Sequence, residues 1–208
     1  MAGHTRQGHF MLDTHARRLV EPVIGAVART LHRAGLTANA VTALAMLIGV
    51  LAALCVMEGW QWTGVAMLWL SGLLDAADGA LARMTRSSPF GAILDITFDR
   101  VVEIAIIIAL AWRYPEARFT LVILAGTIAV AMSLFLSIAA AVRNHSAKSF
   151  HYAPGLGERS EAFICLSLMI VGAGHLVAWT GLFIGVIAFT MGQRLRHAAR
   201  ALATDAVD

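Results

Sequence analysis

Long apolar runs and short polar breaks divide the chain. Apolar residues dominate from Ala40 to Met57, Trp62 to Leu81, Phe90 to Trp112 and Thr120 to Val142, and a last run extends from Glu161 to Met191. A bilayer core of about 30 Å takes about 20 apolar residues in a helix, so each of the first four runs predicts one span. The last, of about thirty residues, would overshoot the bilayer as one straight helix. Gly172-Ala-Gly174-His175 marks a break in it, giving spans from Glu161 to Ala173 and from Leu176 to Met191. The pattern therefore predicts an all-α protein, a bundle of six transmembrane helices. Ahead of it, Leu19, Val20, Val23, Ile24, Val27 and Leu31 recur at helical spacing, with Arg17, Arg18 and Arg29 on the other face. That is the pattern of a basic amphipathic helix lying in the cytoplasmic membrane interface, or packed on the protein's own cytoplasmic face, or both. Gly35-Leu-Thr37-Ala-Asn39 ends it and offers Thr37 or Asn39 as N-cap of the first span. The organisation expected is an N-terminal tail and interfacial helix over 1–39, a membrane domain over 40–197 and a C-terminal tail over 198–208.

Composition and charge sharpen this picture. Hydrophobic residues make up 59% of the chain, against about 45–50% in soluble domains. The net charge is only +3, but the basic residues are unevenly placed. Arg6, Arg17, Arg18, Arg29 and Arg33 precede the first span, and Arg83 and Arg86 follow the second. Arg143, Lys148 and Arg159 lie between the fourth and fifth, and Arg194, Arg196 and Arg200 follow the sixth. The opposite side offers Glu58 and the loop from Arg113 to Arg118. The positive-inside rule then places both termini in the cytoplasm, as an even number of spans requires. Membrane lipids are the expected surroundings, and no nucleic-acid partner is expected. A basic segment precedes the first span without an obvious small-residue cleavage site, so that helix is expected to remain in the mature protein. Cys55 and Cys165 sit inside apolar runs and are expected to stay unpaired. Gly181 and Gly185, four apart, are expected to let helices approach closely, either within the bundle, the favoured reading, or between two copies of the protein.

Against this apolar background, Asp75, Asp78, Asp95 and Asp99 fall within twenty-five residues, on predicted spans two and three. Each carboxylate near a bilayer centre costs about 2.5–3.5 kcal/mol on insertion scales, so four together need a compensating partner. Asp75 and Asp78 are three apart and Asp95 and Asp99 four apart, so each pair shares a helix face. If the two helices run antiparallel through the Met84–Pro89 turn, the pairs face each other and form an oxygen-only cage. Such a cage suits hard cations, Mg²⁺ or Mn²⁺, and two such ions would balance four Asp charges and clamp a pyrophosphate. Gly79 and Ala82 are small residues beside the cage, either admitting a base or ribose to the backbone or packing helices. Arg83 either binds phosphate or extends to the interface. Glu103 continues the Asp95, Asp99 stripe one turn deeper, with Arg100 or a base on another helix as its partner. An ion-coupled transporter is the rival class, but it predicts acidic residues near the midplane on separate halves of the chain.

The string Asp75-x-x-Asp78-Gly79-x-x-Ala82-Arg83, seven residues, then Gly91-x-x-x-Asp95-x-x-x-Asp99 resembles the signature of the CDP-alcohol phosphotransferase (CDP-alcohol phosphatidyltransferase) family at every fixed position. The resemblance implies six spans, an interfacial helix, a cytoplasmic site and a homodimer. It implies a transferase of phospholipid synthesis in which an acceptor hydroxyl attacks a CDP-linked lipid such as CDP-diacylglycerol and CMP is released. Carried over by position, Asp75, Asp78, Asp95 and Asp99 hold two Mg²⁺ or Mn²⁺ ions and Asp99 takes the acceptor proton. Asp78, Gly79, Ala82 and Arg83 hold the nucleotide. One departure is Thr37-Ala38-Asn39-Ala-Val-Thr42, where the family often has proline at the second position. Asn39 and Thr42 remain candidates for the nucleotide or its neighbouring backbone. Arg143, Lys148 and Arg159 are the candidate acceptor ligands, since a basic cluster on the side of the metal site suits a phosphorylated polyol such as inositol phosphate; a positive-inside loop leading into a helix cap accounts for the same residues equally well. Glycerol 3-phosphate and serine stay open as acceptors.

Overall fold

The computed structural model describes residues 11–145 and 159–204, with side chains over 21–141 and 161–200. Every regular element among them is helical: α1 Met11–Arg33, α2 Ala38–Met57, α3 Gln61–Met84, α4 Pro89–Arg113, α5 Arg118–His145, α6 Arg159–Val171 and α7 Leu176–Thr204, with 3₁₀ turns at Pro115–Ala117 and Ala173–His175.

The helix ends follow from local chemistry. α1 stops at Gly35, whose φ of 77° only glycine adopts freely, with Leu36 N–H donating to Leu31 O and Gly35 N–H to His32 O. α2 stops in the same way at Gly59, φ 87°, with Trp60 N–H on Cys55 O and Gly59 N–H on Val56 O. Thr37 is the N-cap of α2, its hydroxyl accepting from Ala40 N–H at 3.3 Å. Ser88 caps α4 by accepting from Gly91 N–H at 3.0 Å, with Pro89 at the first helical position. The expected break in the last apolar run is present: α6 ends at Val171 and α7 begins at Leu176.

Four segments are long and apolar enough to cross a membrane, Ala38–Met57, Gln61–Met84, Pro115–Ala141 and Ala173–Arg200, so the protein is a multi-pass membrane protein. Two of the six predicted spans are not among them. α4 carries Asp95, Asp99, Arg100 and Glu103 along its length. α6 has 13 residues, about 20 Å of helix.

The chain forms two compact units. The first comprises residues up to Ile48 with Leu70–Asp99. In it Ala28 of α1, Val41 of α2 and Leu81 of α3 are fully buried, with Leu31, Ala38, Leu74 and Ala80 packed against them. Ser71 ties α3 to α2 by donating to Ala45 O at 2.7 Å. The second comprises Gly49–Trp69 with the chain from Arg100 onward. Its buried side chains include Val56, Leu68, Ile106, Leu110, Leu121, Leu124, Leu166, Met169 and Ile170, and α7 packs on α5 and α6. Trp69 Nε1 donates to Ser167 Oγ at 3.0 Å and stands edge-on to Phe163. Trp60, Trp62 and Trp112 are exposed at the α2–α3 and α4–α5 connections, as amphipathic rings are at a membrane interface.

Gly181 and Gly185 do not pack inside the chain as expected. A Cβ at either would meet nothing within 4 Å. The buried face of α7 is Leu176, Thr180, Phe183, Ile187 and Thr190, and the two glycines fall on the opposite face.

Candidate metal and nucleotide site

The first unit contains the acidic motif. Asp75 and Asp78 project from α3 one helical step apart and are 6% and 5% exposed. Asp95, partly buried, comes from the second turn of α4. One carboxylate oxygen from each lies within 4.8 Å of the others. Asp78 Oδ2 is buried and has no hydrogen-bond partner. Three carboxylates this close, in a helix bundle, with one oxygen lacking any donor, make an arrangement that a hard cation completes. Asp99, partly buried, stands one turn further along α4 and is not in this group.

The rest of the motif surrounds these carboxylates. Gly79 follows Asp78, and a Cβ there would meet only Arg83 Nη1, at 3.5 Å, so the exposed Arg83 side chain folds back along α3 over Gly79. Ala82 is partly buried beside it. Gly91 lies one turn before Asp95, and a Cβ there would stand 3.1 Å from Asn39 Oδ1 and 3.2 Å from Ser88 Oγ. The motif glycine of α4 thus admits the start of α2. Thr42, buried, donates to Ala38 O at 2.9 Å and lies beside Asp78. Both α2 residues singled out in the sequence, Asn39 and Thr42, therefore stand next to the motif.

A cavity of about 390 Å³ opens at the same end of this unit, lined by His32, Gly35, Leu36, Thr37, Ala38, Asn39, Thr85, Arg86 and Ser88. Sequence reasoning gave His32, Thr85 and Ser88 no role. The signal available was the pair of short polar breaks, 34–37 and 85–88, which the folding of α1–α4 brings to one place. Among the expected acceptor ligands, Arg143 and Arg159 stand on α5 and α6, but their side chains, and Lys148 altogether, lie outside the described residues. Further along α4, Glu103 is paired with Arg100, Oε2 to Nη1 2.7 Å.

Comparison with known proteins places this geometry. The chain is 30% identical to the inner membrane protein YnjF of Escherichia coli over 169 residues, 76% of this chain and 81% of that one. It is 32% identical to the phosphatidylinositol phosphate synthase of Mycobacteroides abscessus over 198 residues, 89% and 87% of the two chains. Its structure is similar to the crystal structure of phosphatidylinositol phosphate synthase from Mycobacterium tuberculosis with CDP-DAG bound, with a TM-score of 0.69, 27% identity and coverage of 85% and 94%. The same enzyme in complex with manganese and citrate gives a TM-score of 0.68, covering 84% and 88%. The CDP-alcohol phosphatidyltransferase family model matches residues 35–192, which include the whole acidic motif, and the chain belongs to that family.

Proposed function

We propose that the protein moves a phosphatidyl group from CDP-diacylglycerol, or another CDP-alcohol, to a hydroxyl of inositol phosphate and releases CMP. The observation that carries this reading is the group formed by Asp75, Asp78 and Asp95 in a chain of this family. Relatives along most of its length bear the name phosphatidylinositol phosphate synthase, and the similar solved structures include one with CDP-DAG and one with manganese.

The donors available are all carboxylate oxygens, the set that hard divalent cations prefer. Asp75, Asp78 and Asp95, with Asp99 completing the set, would hold two ions, Mg²⁺ or Mn²⁺. Bound there, the ions supply positive charge against the diphosphate and the leaving oxygen. The chain's own residues do the rest. Asp78, Gly79 and Ala82 receive the cytidine nucleotide against the α3 backbone, and Arg83 offers a guanidinium to phosphate. Asp99 holds the acceptor hydroxyl and takes its proton as the acceptor oxygen bonds to the phosphorus that carries the lipid. The bond from that phosphorus to the oxygen of CMP breaks in the same displacement, and CMP departs with the electron pair. Arg143, Lys148 and Arg159 bind the phosphate of the acceptor.

In this reading α4 and α6 join the four apolar segments to make six spans, and α1 lies in the cytoplasmic interface. The basic helix ends support a site on the cytoplasmic side of an inner membrane, and in this reading the working form is a homodimer, as the family resemblance implies. The test is CMP release from CDP-diacylglycerol by purified protein with Mn²⁺ or Mg²⁺, against inositol phosphate, glycerol 3-phosphate, serine and unphosphorylated inositol. Release with inositol phosphate alone, abolished in Asp99→Asn, is expected. Release with glycerol 3-phosphate or serine instead would replace the acceptor, and no release with any acceptor would overturn the reading.

A further inference from the structure

Arg113 closes α4 with an exposed guanidinium that none of the roles above uses. It belongs to the second unit, where the α2–α3 and α4–α5 connections come together: Gln61 Nε2 donates to the Tyr114 hydroxyl at 2.8 Å. Gly59, whose φ of 87° already favours glycine, gives the arginine its seat. A Cβ at Gly59 would stand 2.6 Å from Arg113 Nη2, 2.8 Å from Cζ and 2.9 Å from Nη1. Such nearly equal distances mean that the guanidinium lies with its face against the turn, which leaves its N–H edges open. The Tyr114 ring centroid is 5.9 Å from Cζ and takes no N–H either. Glu58 and Glu116 are exposed at the same two connections, yet neither pairs with Arg113. Among the described residues its guanidinium has no hydrogen bond and no ion pair.

The surroundings name the missing acceptor. Glu58–Trp60 separates two segments that are able to cross the membrane, and Arg113 directly precedes the turn that opens a third. Trp60 beside Gly59, Trp112 beside Arg113, and Trp62 are all exposed. Indoles exposed at the ends of spans sit at headgroup level, and there the abundant anionic acceptors are lipid phosphates. An edge of a guanidinium matches two oxygens of a phosphate. We infer that Arg113 binds the phosphodiester of an anionic membrane phospholipid, with Gly59 as the seat that turns its N–H edge to the headgroup layer. The occupant is an anionic lipid because the arginine charge has no acid of the described protein to meet, and an anionic headgroup has no ammonium of its own competing for the phosphate. The inference stands apart from the transferase reading and does not fall with it.

The experiment follows tryptophan emission of the purified full-length protein in mixed micelles that contain phosphatidylglycerol or phosphatidylcholine with brominated acyl chains. Three of the five tryptophans, Trp60, Trp62 and Trp112, stand at these connections. None lies in α1, in the turn at 85–88 or in the basic end of α7, where anionic lipid also gathers, so quenching reports the neighbourhood of Arg113. The wild type is expected to favour the brominated phosphatidylglycerol about tenfold, the gain that goes with a charge-assisted hydrogen bond. Arg113→Gln should bring that ratio to about one while unfolding at the wild-type temperature in lipid-free micelles. Arg196→Gln, an exposed site in the basic end of α7, should keep the wild-type ratio.

A ratio near one in the wild type would overturn the inference, as would a ratio unchanged in Arg113→Gln. An equal loss in Arg196→Gln would also overturn it, because the preference would then belong to the charge of the whole chain. Should Arg113→Gln fail to fold, Arg113→Lys decides, since lysine keeps the charge and lacks the two-donor edge. A preference lowered several-fold in that variant supports the inference, and an unchanged one overturns it.

Discussion

The Gly79→Ala substitution should raise stability and lower turnover, and these opposite signs distinguish a glycine that faces substrate from one that packs helices. Gly79 lies inside α3, where glycine is about 0.5–1 kcal/mol less favourable than alanine. The added Cβ would meet only Arg83 Nη1 at 3.5 Å, an ordinary contact with the end of a flexible side chain. Nothing offsets the helix term, so the melting temperature should rise by about 1–4 °C in a chain of this size. In the reaction proposed above, the same methyl group would stand where the nucleotide would approach the backbone beside Asp78. One methyl group in a fitted pocket is worth about 1–3 kcal/mol, so kcat/KM for CDP-diacylglycerol should fall about ten- to hundredfold. The assay pairs thermal unfolding in a fixed detergent with CMP release measured against both substrates. Full activity together with a raised melting temperature would remove Gly79 from the nucleotide site. A lowered melting temperature would refute the open space that the stability argument depends on.

Chelation should abolish CMP release and Mn²⁺ should restore it; Asp78→Asn, which keeps the volume of the side chain and removes its charge, should weaken Mn²⁺ binding in a titration of free against bound ion, and unchanged affinity would take Asp78 out of the ligand set. Gly172→Ala should destabilise, because its Cβ would stand 2.7 Å from the Leu168 carbonyl and against the Trp179 indole. Overpacking of this kind costs about 1–3 kcal/mol, read as a drop of about 2–12 °C in melting temperature.

The acidic site was legible because helical spacing determines which carboxylates share a face, and because one short turn joins the two helices that carry them. Once α3 and α4 are paired, Asp75, Asp78 and Asp95 have little freedom to stand apart. The position of Asp99 was not legible in the same way. It lies one helical turn beyond Asp95 and outside the group formed by Asp75, Asp78 and Asp95, and spacing gives the face of α4 it shares but not where its carboxylate points. Gly181 and Gly185 show a different limit. Their spacing says that they share a face of α7, but glycine has no polarity to say which face, and the neighbours of α7 decide that. The break at Gly172 was legible because length demanded a break and the Gly172-Ala-Gly174-His175 segment placed it. The seating of Trp179 against it was not, because that contact belongs to the turn between α6 and α7.

α4 poses the remaining question of topology, because the residues that make it chemically interesting are those that keep it out of the plainly apolar segments. Its 25 residues give about 37 Å of helix, enough to cross a core of about 30 Å. Asp95, Asp99, Arg100 and Glu103 oppose insertion at about 2.5–3.5 kcal/mol for a charge at the centre. The opposition weakens where charges face protein and pair. Val102, Glu103, Ile106, Ile107, Ala109 and Leu110 form the buried face, so Glu103 is turned from lipid and meets Arg100. Cysteines introduced by Ser87→Cys and Glu116→Cys, both exposed positions flanking α4, test the outcome in a Cys55→Ala, Cys165→Ala background. A membrane-impermeant maleimide should label position 116 in intact cells and position 87 only after permeabilisation. Labelling of both from one side would mean that α4 returns without crossing, and the six-span topology and the cytoplasmic assignment of the site would fall together, since the positive-inside count depends on that crossing.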